Sequence, residues 1–344
     1  MIARTDALAG PHVYDSLLDL ARLPWFEEER GRLVVSDREE VGSIIDVHAH
    51  LALAYVRPMQ VDLFCASGET EHYLPACCRV DLDVYVNKNF TQEHLRALND
   101  DLIKGSMRRG GMRASHTVPN LAREMDELGV VKSIILPIDF PFISENHAHA
   151  ADAAKRDDHI MAFGSVHPYT PKAHERLDEQ AHQGALGVKV HPNVQCVRPD
   201  DPKARALYRA CGERNLPILI HCGPVGIEPA LGRWLTQVKW YERGIAENPK
   251  TTFILGHSGA LQFDEALALQ KKYPNVWLET SSQSLTNVRA MVERADPDRV
   301  AFGSDWPFYH QAIPLAKVLI ATEGKPALRQ KILFANAARM LGLA

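Results

Sequence analysis

The sequence predicts an α/β fold of the (β/α)8 TIM-barrel class, with an N-terminal extension and a long insertion after the first strand. About eight short apolar segments, each followed by a helical pattern, run from Ile44 to the C-terminus. No glycine-rich phosphate turn follows any of them, which disfavours an open doubly wound sheet. Several of the segments end in histidine or aspartate, as expected at the rim where a barrel keeps its functional residues.

Each predicted strand is short, rich in aliphatic residues and bounded by polar or turn-forming residues. The predicted strands cover residues 44–47, 132–136, 160–166, 186–191, 217–221, 252–257, 276–279 and 300–305. The predicted helices cover residues 120–128, 145–155, 172–182, 203–214, 228–247, 261–272, 285–295, 313–321 and 327–341. Strand and helix therefore alternate along the chain, as parallel strands in one barrel require.

Two regions fall outside this repeat. Residues 1–43 hold an amphipathic helical patch at 13–21 and a short strand at 32–35, and we interpret them as an extension packed on the barrel formed by residues 44–344. Residues 51–118 are too long for a plain connection and are interpreted as a lid-like insertion. Within the insertion, Thr91 and His94 have the spacing of a capping pair, which predicts a helix that begins after Thr91.

Composition excludes several classes of partner. The 344-residue chain is 46% hydrophobic with a formal net charge of −4, so nothing favours nucleic acid or an anionic membrane surface. No apolar run approaches the roughly 18 residues of a membrane span, and the N-terminus lacks the apolar core of a secretion signal. The six cysteines have no regular spacing, which is typical of a reduced, cytoplasmic protein with free thiols.

The segment IIDVHAH at residues 44–50 is the most informative motif. It is an apolar strand that ends in His-x-His. Because strand side chains alternate between faces, Asp46, His48 and His50 are predicted to share one face. Residues two apart on a strand are separated by about 6.5–7 Å, so the two imidazoles can converge on one ion.

Similar residues end later strands. His221, His257 and Asp305 stand at the ends of the fifth, sixth and eighth predicted strands, and alternation in the fourth turns Lys189 and His191 inward. Since the carboxyl ends of barrel strands share one rim, these side chains are expected to lie near the first-strand histidines. Histidine-rich ligation with one carboxylate and an open position suits Zn²⁺ or a similar first-row dication.

The segments IIDVHAHL, GVKVHP, PILIHCG, FILGHSGA and VAFGSDWPF together resemble the amidohydrolase superfamily. They are most similar to its amidohydrolase-related branch, which also contains the carboxymuconate-semialdehyde and resorcylate decarboxylases. The resemblance covers residues 44–340 with long gaps. It implies that His48, His50, His221 and Asp305 bind one divalent metal, zinc or another such as manganese. It also implies that His257 is a catalytic acid/base or a ligand to a second ion, and a homodimer is expected at the level of the family.

Several further residues have two interpretations each. Lys189 is either the bridging lysine of binuclear superfamily members or a charged residue inside the barrel mouth. His191 and His167, each followed by proline, either line the pocket or are ordinary loop histidines. Arg57 and the basic cluster at 108–113 are candidates for binding a substrate carboxylate.

These residues support three hypotheses for the function. The favoured one is a metal-dependent hydrolase of a small-molecule amide, ester or lactone. In it, Asp305 takes the proton of a metal-activated water, and His257 either stabilises the developing oxyanion or protonates the leaving group. The second is a metal-dependent non-oxidative decarboxylase of an aromatic or muconate-type acid, which would use the same ligands. The third is a barrel that binds a small molecule without turnover, which the complete ligand set disfavours.

Overall fold

Eight parallel strands follow one another around the barrel in sequence order. The computed structural model describes residue 8 and residues 10–55, 58–140 and 143–343. We number the barrel strands β1 (Ile44–Ala49), β2 (Val130–Ile135), β3 (Ile160–Ala162, continued by Gly164–Ser165), β4 (Val188–Val190), β5 (Ile218–His221), β6 (Phe253–Gly256), β7 (Val276–Glu279) and β8 (Val300–Ala301).

The strand pairing falls into two sheets. One contains β1, β2 and the first piece of β3, and the other runs from the second piece of β3 through β8, so the ladder is interrupted within β3 and is not closed between β8 and β1. Backbone hydrogen bonds link the open edges: the Val47 N–H donates to the Phe302 carbonyl at 2.9 Å, and the His50 N–H donates to the Trp306 carbonyl at 2.7 Å. The predicted (β/α)8 architecture is confirmed.

Helices separate the strands close to where the sequence predicted them. They are Val118–Leu128, Asn146–Arg156, Ala173–His182, Pro202–Glu213, Ala230–Leu235, Tyr241–Glu247, Phe263–Lys272, Leu285–Arg294, Ala312–Ala321, Pro326–Gln330 and Asn336–Met340. The long helical region predicted over 228–247 is present, but it is divided into Ala230–Leu235 and Tyr241–Glu247. The chain breaks there because Gln237 takes an extended conformation (ψ 133°) and the Thr236 hydroxyl donates to the Gly232 carbonyl at 3.0 Å.

Short helical turns complete the connections. The 3-10 turns are Leu18–Arg22, Val86–Asn89, Gly105–Met107, Met112–Ser115, Val238–Trp240, His257–Gln262 and Pro297–Arg299. A π-helical turn, Lys331–Ala335, joins the last two helices of the chain. None of the helices in the described ranges combines the length and apolar character needed to cross a membrane.

The extension and the insertion contain little regular structure. The helical patch predicted at 13–21 is correct only in its second half, where Leu18–Arg22 forms a 3-10 turn, because Val13–Tyr14 pairs as a short strand with Val80–Asp81 of the insertion. The strand predicted at 32–35 is present as Arg32–Val35, in a hairpin with Phe26–Glu29, and is followed by the short helix Arg38–Val41.

The helix predicted after Thr91 is present as Gln92–Lys104. The Thr91 hydroxyl accepts a hydrogen bond from the His94 N–H at 3.2 Å, and His94 Nδ1 accepts one from the Thr91 N–H at 3.3 Å. This reciprocal pair satisfies two of the backbone donors that a helix start leaves free.

The barrel interior is filled rather than hollow. Its apolar cluster is formed by side chains from most of the strands, including Ile45, Val47, Ile134, Phe163, Leu219, Ile254, Trp277 and Ala301. A second, larger cluster lies between the strands and the surrounding helices. Because the interior is packed, polar side chains that follow the strands are displayed at the rim above it.

Candidate active site

A cavity of about 360 Å³ opens where the barrel strands end. Most of the residues predicted for the site line it, namely His48, His50, Lys189, His191, His221, His257 and Asp305. Much of the remaining wall is apolar or aromatic and includes Leu53, Tyr55, Ile138, Phe140 and Phe308. Residues separated by more than two hundred positions in the sequence are thus brought to one place.

His48 and His50 each direct one ring nitrogen toward Asp305. Nε2 of each ring lies 3.5 Å from Asp305 Oδ1. Nδ1 of His50 is 2.8 Å from the Leu136 carbonyl, which can only accept, so Nδ1 carries a hydrogen and donates it to this carbonyl. Nδ1 of His48 is 3.0 Å from Glu279 Oε1. Burial, ahead of neighbouring charges, holds the pKa of His48 well below its usual value, so this ring is neutral.

The three groups form a set that fits a divalent metal. One ligand atom from each of His48, His50 and Asp305 lies within 4.8 Å of the other two, and all three residues are buried. Lone pairs that face one another in a buried site repel unless a cation lies between them. A second set within the same limit contains His48, His257 and Glu279. Imidazole nitrogens with a carboxylate are typical ligands of first-row dications.

The position of Asp46 corrects the prediction from strand alternation. Asp46 does not line the cavity with His48 and His50, because the register of β1 against β2 shifts after Asp46. Its carboxylate instead accepts hydrogen bonds from the Ser304 N–H at 2.9 Å and the Gln311 side-chain amide at 2.7 Å. Such an irregularity re-aims side chains, so Asp46 anchors the loop after β8 while the histidines reach the cavity.

Asp305 is presented by a loop rather than by the eighth strand. The prediction that the strand extends to residue 305 is wrong, because β8 ends at Ala301 and Asp305 has a left-handed backbone (φ 66°). Its Oδ2 accepts hydrogen bonds from the Tyr309 hydroxyl at 2.8 Å and the Ser282 hydroxyl at 3.3 Å. Burial raises the pKa of Asp305, but the neighbouring histidines and the Tyr309 bond outweigh it and leave the pKa below its usual value.

His257 follows β6 and also has a left-handed backbone (φ 54°). Its Nδ1 lies 2.8 Å from Ser281 Oγ, 3.1 Å from Ser282 Oγ and 3.9 Å from Asp305 Oδ2. Burial, opposed by Asp305, lowers the pKa of His257 to about 4, so the ring is neutral near pH 7. Among the described residues, Nε2 is therefore the ring nitrogen left for chemistry in the cavity.

Glu279 is a buried carboxylate that the sequence analysis did not single out. It lies at the end of β7 and contacts two of the site histidines, through Nδ1 of His48 and through the backbone N–H of His257. It also accepts hydrogen bonds from the Ser281 N–H at 2.6 Å and the Ser281 hydroxyl at 2.8 Å. Burial raises the pKa of Glu279 to about 7. The signal that could have found it is its place as the last residue of a predicted strand, where the other site residues stand.

Lys189 is a buried cation inside the barrel mouth. Its Nζ lies 3.2 Å from His48 Nε2. Burial lowers the pKa of Lys189 to about 8, and the charges of Asp305 and Glu279 oppose this effect. The lysine thus contacts the same ring nitrogen that faces Asp305.

His221 and His191 form one wall of the cavity. Their rings stack with centroids 4.1 Å apart and planes 11° from parallel, and the His221 ring lies 4.9 Å from that of His257. The His191 N–H donates to the Gln195 side chain at 2.9 Å. The two close sets of ligand atoms found among the described residues do not include His221, although it lines the same cavity.

Three other residues that the sequence suggested for the site are not found among the described residues that line the cavity of His48 and Asp305. His167 lines a separate cavity, where one ring nitrogen is 2.9 Å from the Gln195 carbonyl and the other accepts a backbone N–H at 3.1 Å. Arg57 lies outside the described residues. Arg113 of the basic cluster is buried and donates to Asp101 at 3.2 Å, so it stabilises the insertion instead of lining the cavity.

The insertion contributes part of the cavity wall through Tyr85, Asn87, Leu98, Asn99, Leu102 and Ile103. It is tied to the loops that follow two barrel strands. The Val86 N–H donates to the Ser282 carbonyl at 3.0 Å, and the Asn87 side-chain amide donates to the Val225 carbonyl at 3.1 Å. The insertion therefore shapes the space above the histidines.

Fold and site together define a barrel protein with a buried histidine and carboxylate centre at the carboxyl ends of its strands. The profile of the family described as Amidohydrolase matches residues 45–343. The chain belongs to this family of enzymes, and the resemblance inferred from the five motifs is confirmed. None of the curated proteins compared with the sequence matches it significantly.

Several solved structures share the fold. An uncharacterised TIM-barrel protein from Bordetella bronchiseptica has a TM-score of 0.62 at 19% identity, over 88% of this chain and 99% of that one. A 5-carboxyvanillate decarboxylase from Novosphingobium aromaticivorans, complexed with manganese and 4-hydroxy-3-methoxy-5-nitrobenzoic acid, has a TM-score of 0.54 at 15% identity. The match covers 86% of this chain and 99% of that one. A probable 2-pyrone-4,6-dicarboxylic acid hydrolase from Acinetobacter baumannii, with bound citric acid, has a TM-score of 0.52 at 13% identity. The match covers 87% of this chain and 99% of that one.

Proposed function

We propose that this protein is a metal-dependent hydrolase that cleaves an amide, ester or lactone bond in a small molecule. The observation that carries the proposal is the convergence of His48 Nε2, His50 Nε2 and Asp305 Oδ1 in a largely apolar cavity. The structures similar in fold include both a probable hydrolase and a decarboxylase, so the choice between reactions has to come from this cavity.

The donor set fits a resident dication such as zinc or manganese. His48, His50 and Asp305 would hold it, and His221, on the same cavity wall, is proposed as the fourth ligand. The ring orientations suit this role, since the Nδ1 atoms of His48 and His50 face oxygen acceptors and turn both Nε2 atoms toward Asp305; a bound dication would replace the contact that His48 Nε2 makes with Lys189. When bound, a dication supplies a Lewis acid that makes water nucleophilic near neutral pH.

The chain's own residues then handle the protons. Asp305 accepts the proton of the attacking water, while Tyr309 and Ser282 fix its Oδ2 and leave Oδ1 facing the two histidines. His257, held in place by Ser281, faces the cavity with its Nε2 and relays to the leaving group the proton that Asp305 has taken from water, so both residues end the reaction in their starting protonation states. The apolar wall excludes bulk water, which strengthens these polar interactions.

The charged side chains that line the cavity favour hydrolysis over decarboxylation. No arginine is found among the described residues that line the cavity, and its one described lysine, Lys189, contacts His48. A decarboxylase must hold a substrate carboxylate, and arginine is the side chain best suited to grip that group. The cavity instead contains a further carboxylate, Glu228, which would repel an anionic substrate.

Activity assays distinguish the two reactions. Purified protein loaded with zinc or manganese should hydrolyse members of a panel of aryl esters, anilides and aryl lactones, measured by product release. It should evolve no CO₂ from hydroxybenzoates. Evolution of CO₂ with no turnover of the hydrolase panel would overturn the proposal in favour of decarboxylation.

Glu279 is proposed to orient the metal ligands without binding the metal. Glu279→Gln replaces one carboxylate oxygen with an NH₂ group, which donates hydrogen bonds and cannot accept them. The variant therefore loses one of the bonds that Glu279 accepts from His48 and from the Ser281 N–H. We expect metal affinity to fall by about 10- to 100-fold, as for other hydrogen-bond partners of metal-ligating histidines. Competition with a chelator measures the affinity, and the exposed Glu265→Gln is the control. Equal affinity in both variants would contradict this role.

A further inference from the structure

Glu228 is a buried carboxylate with unmet hydrogen-bonding capacity. It belongs to the loop that joins β5 to the helix Ala230–Leu235, and its side chain is 3% exposed. Neither of its carboxylate oxygens has a hydrogen-bond partner among the described residues. Buried carboxylates are normally paired, because removing them from water is costly, so this arrangement points to a partner that arrives with a ligand.

The nearest cation does not satisfy Glu228. Arg233 Nε lies 3.9 Å from Glu228 Oε1, beyond hydrogen-bond distance, and the Arg233 side chain is 57% exposed. An ion pair with one partner in solvent is weak and screened. The lysine of the cavity, Lys189, is in contact with His48 instead.

The loop that carries Glu228 is fixed at several points. The Gly223 N–H donates to the Thr236 carbonyl at 2.8 Å, and the Val225 carbonyl accepts from Asn87 at 3.1 Å. Gly223 has a left-handed backbone (φ 82°), and a Cβ atom there would lie 1.8 Å from the Gly259 carbonyl oxygen, so only glycine allows the close approach of the two loops. The backbone of the loop is therefore held in position before a ligand binds, which lowers the cost of ordering the segment that carries Glu228.

Glu228 faces the same cavity as the proposed reaction centre. It lines this cavity together with Val225, Ile227 and Pro229 of its own loop. The phenol of Tyr85 is close enough to feel the charges of both Asp305 and Glu228, which add to the effect of burial in raising its pKa. Glu228 is thus near the reacting groups, on a wall whose other side chains are mainly apolar, aromatic or amide-bearing.

We propose that Glu228 determines specificity by binding a cationic nitrogen, an ammonium or amidinium group, of the substrate. An N–H cation supplies both the charge and the hydrogen-bond donors that the two oxygens lack. Aromatic side chains that line the same cavity, such as Phe140 and Phe308, are also compatible with a cationic ligand. This inference shares one premise with the proposed hydrolase function, namely that the substrate binds in this cavity. Within that function, it narrows the substrate to an amide, ester or lactone that carries an amine or amidine group.

Equilibrium binding tests the proposal without requiring turnover. Metal-loaded protein is titrated by calorimetry at pH 7.5 with benzylamine, benzyl alcohol and benzoate, which have similar size and differ in charge. Wild type should bind benzylamine about tenfold or more tighter than benzoate. Glu228→Gln should lose about tenfold or more of the benzylamine affinity and leave benzyl alcohol unchanged. Glu265→Gln, an exposed carboxylate away from the cavity, is the matched control and should match wild type.

The outcomes separate this proposal from the hydrolase proposal. If wild type and Glu228→Gln bind benzylamine equally, or if wild type prefers benzoate, the assignment of Glu228 is overturned. A melting temperature for Glu228→Gln at or above that of wild type shows that the variant folds, as expected when an unpaired buried charge is removed. The preference for benzylamine is expected even if no ester, amide or lactone is turned over, in which case only the hydrolase proposal fails.

Discussion

Asp305→Asn should lower kcat/KM by about 10³-fold or more, the range expected when a general base is lost. Asparagine keeps the size of the side chain and can still accept from Tyr309 and Ser282 through its carbonyl oxygen. It has no lone pair basic enough to take a proton from water. It also presents either an amide NH₂ or an uncharged oxygen to His48 and His50, where a carboxylate oxygen stands at 3.5 Å from each.

Bound metal must be measured alongside the rate. If Asp305→Asn keeps a full equivalent of metal, the loss of rate reports the base, and if metal is lost as well, the residue is also a ligand. Asp264→Asn, an exposed carboxylate on the helix Phe263–Lys272, should retain wild-type activity. Retention of more than about a tenth of wild-type kcat/KM by Asp305→Asn would refute the role of base.

The fold was predictable because its signal is distributed along the chain. Apolar strands alternating with amphipathic helices specify a barrel even when individual bounds are wrong, since each strand needs only to reach its neighbour. The errors have local causes. Alternation failed at Asp46, where the register shifts. The first half of the helical patch predicted at 13–21 is a strand instead, because Val13–Tyr14 pairs with a strand of the insertion.

Sequence predicted which residues line the cavity, but not the geometry in which they are held. Histidine or aspartate after an apolar run is visible in sequence, so His48, His50, His221, His257 and Asp305 could be named. The left-handed backbones of His257 and Asp305 could not be predicted, because most histidines and aspartates have a negative φ even though both types are enriched at positive φ.

Side chains that support the site carry weaker signals. Glu279, Ser282 and Tyr309 contact the predicted residues only after loops from different strands have come together. Glu228 lies in an irregular loop, where sequence gives no periodicity from which burial could be inferred. The insertion has the same difficulty, and its contribution to the cavity wall emerges only from tertiary packing.

Removal of metal should abolish activity and destabilise the fold, and zinc or manganese should restore both. Without a cation, the buried Nε2 atoms of His48 and His50 face Asp305 Oδ1 at 3.5 Å, and the ammonium of Lys189 is the one described cation in contact with His48. A ligand that binds only the folded state stabilises it by RT ln(1 + [L]/Kd), about 4 kcal/mol at a thousandfold excess over Kd. Chelation should therefore lower the melting temperature, with calorimetry and metal analysis as the measurements.

His50→Ala separates a specific site from adventitious metal. The variant removes one Nε2 ligand. Because a site that lacks one ligand binds metal less tightly, we expect the variant to hold less than one equivalent of metal. Its activity and its stabilisation by metal should both fall to the level of chelated wild type. His174→Ala removes an exposed histidine from the helix Ala173–His182 and should change neither. Full activity in chelated protein that holds less than about a tenth of an equivalent of metal would contradict the metal-dependent reaction. In that case the two histidines, Lys189 and Asp305 would have to act as a metal-free charge network, and Lys189→Met would then be the more damaging substitution.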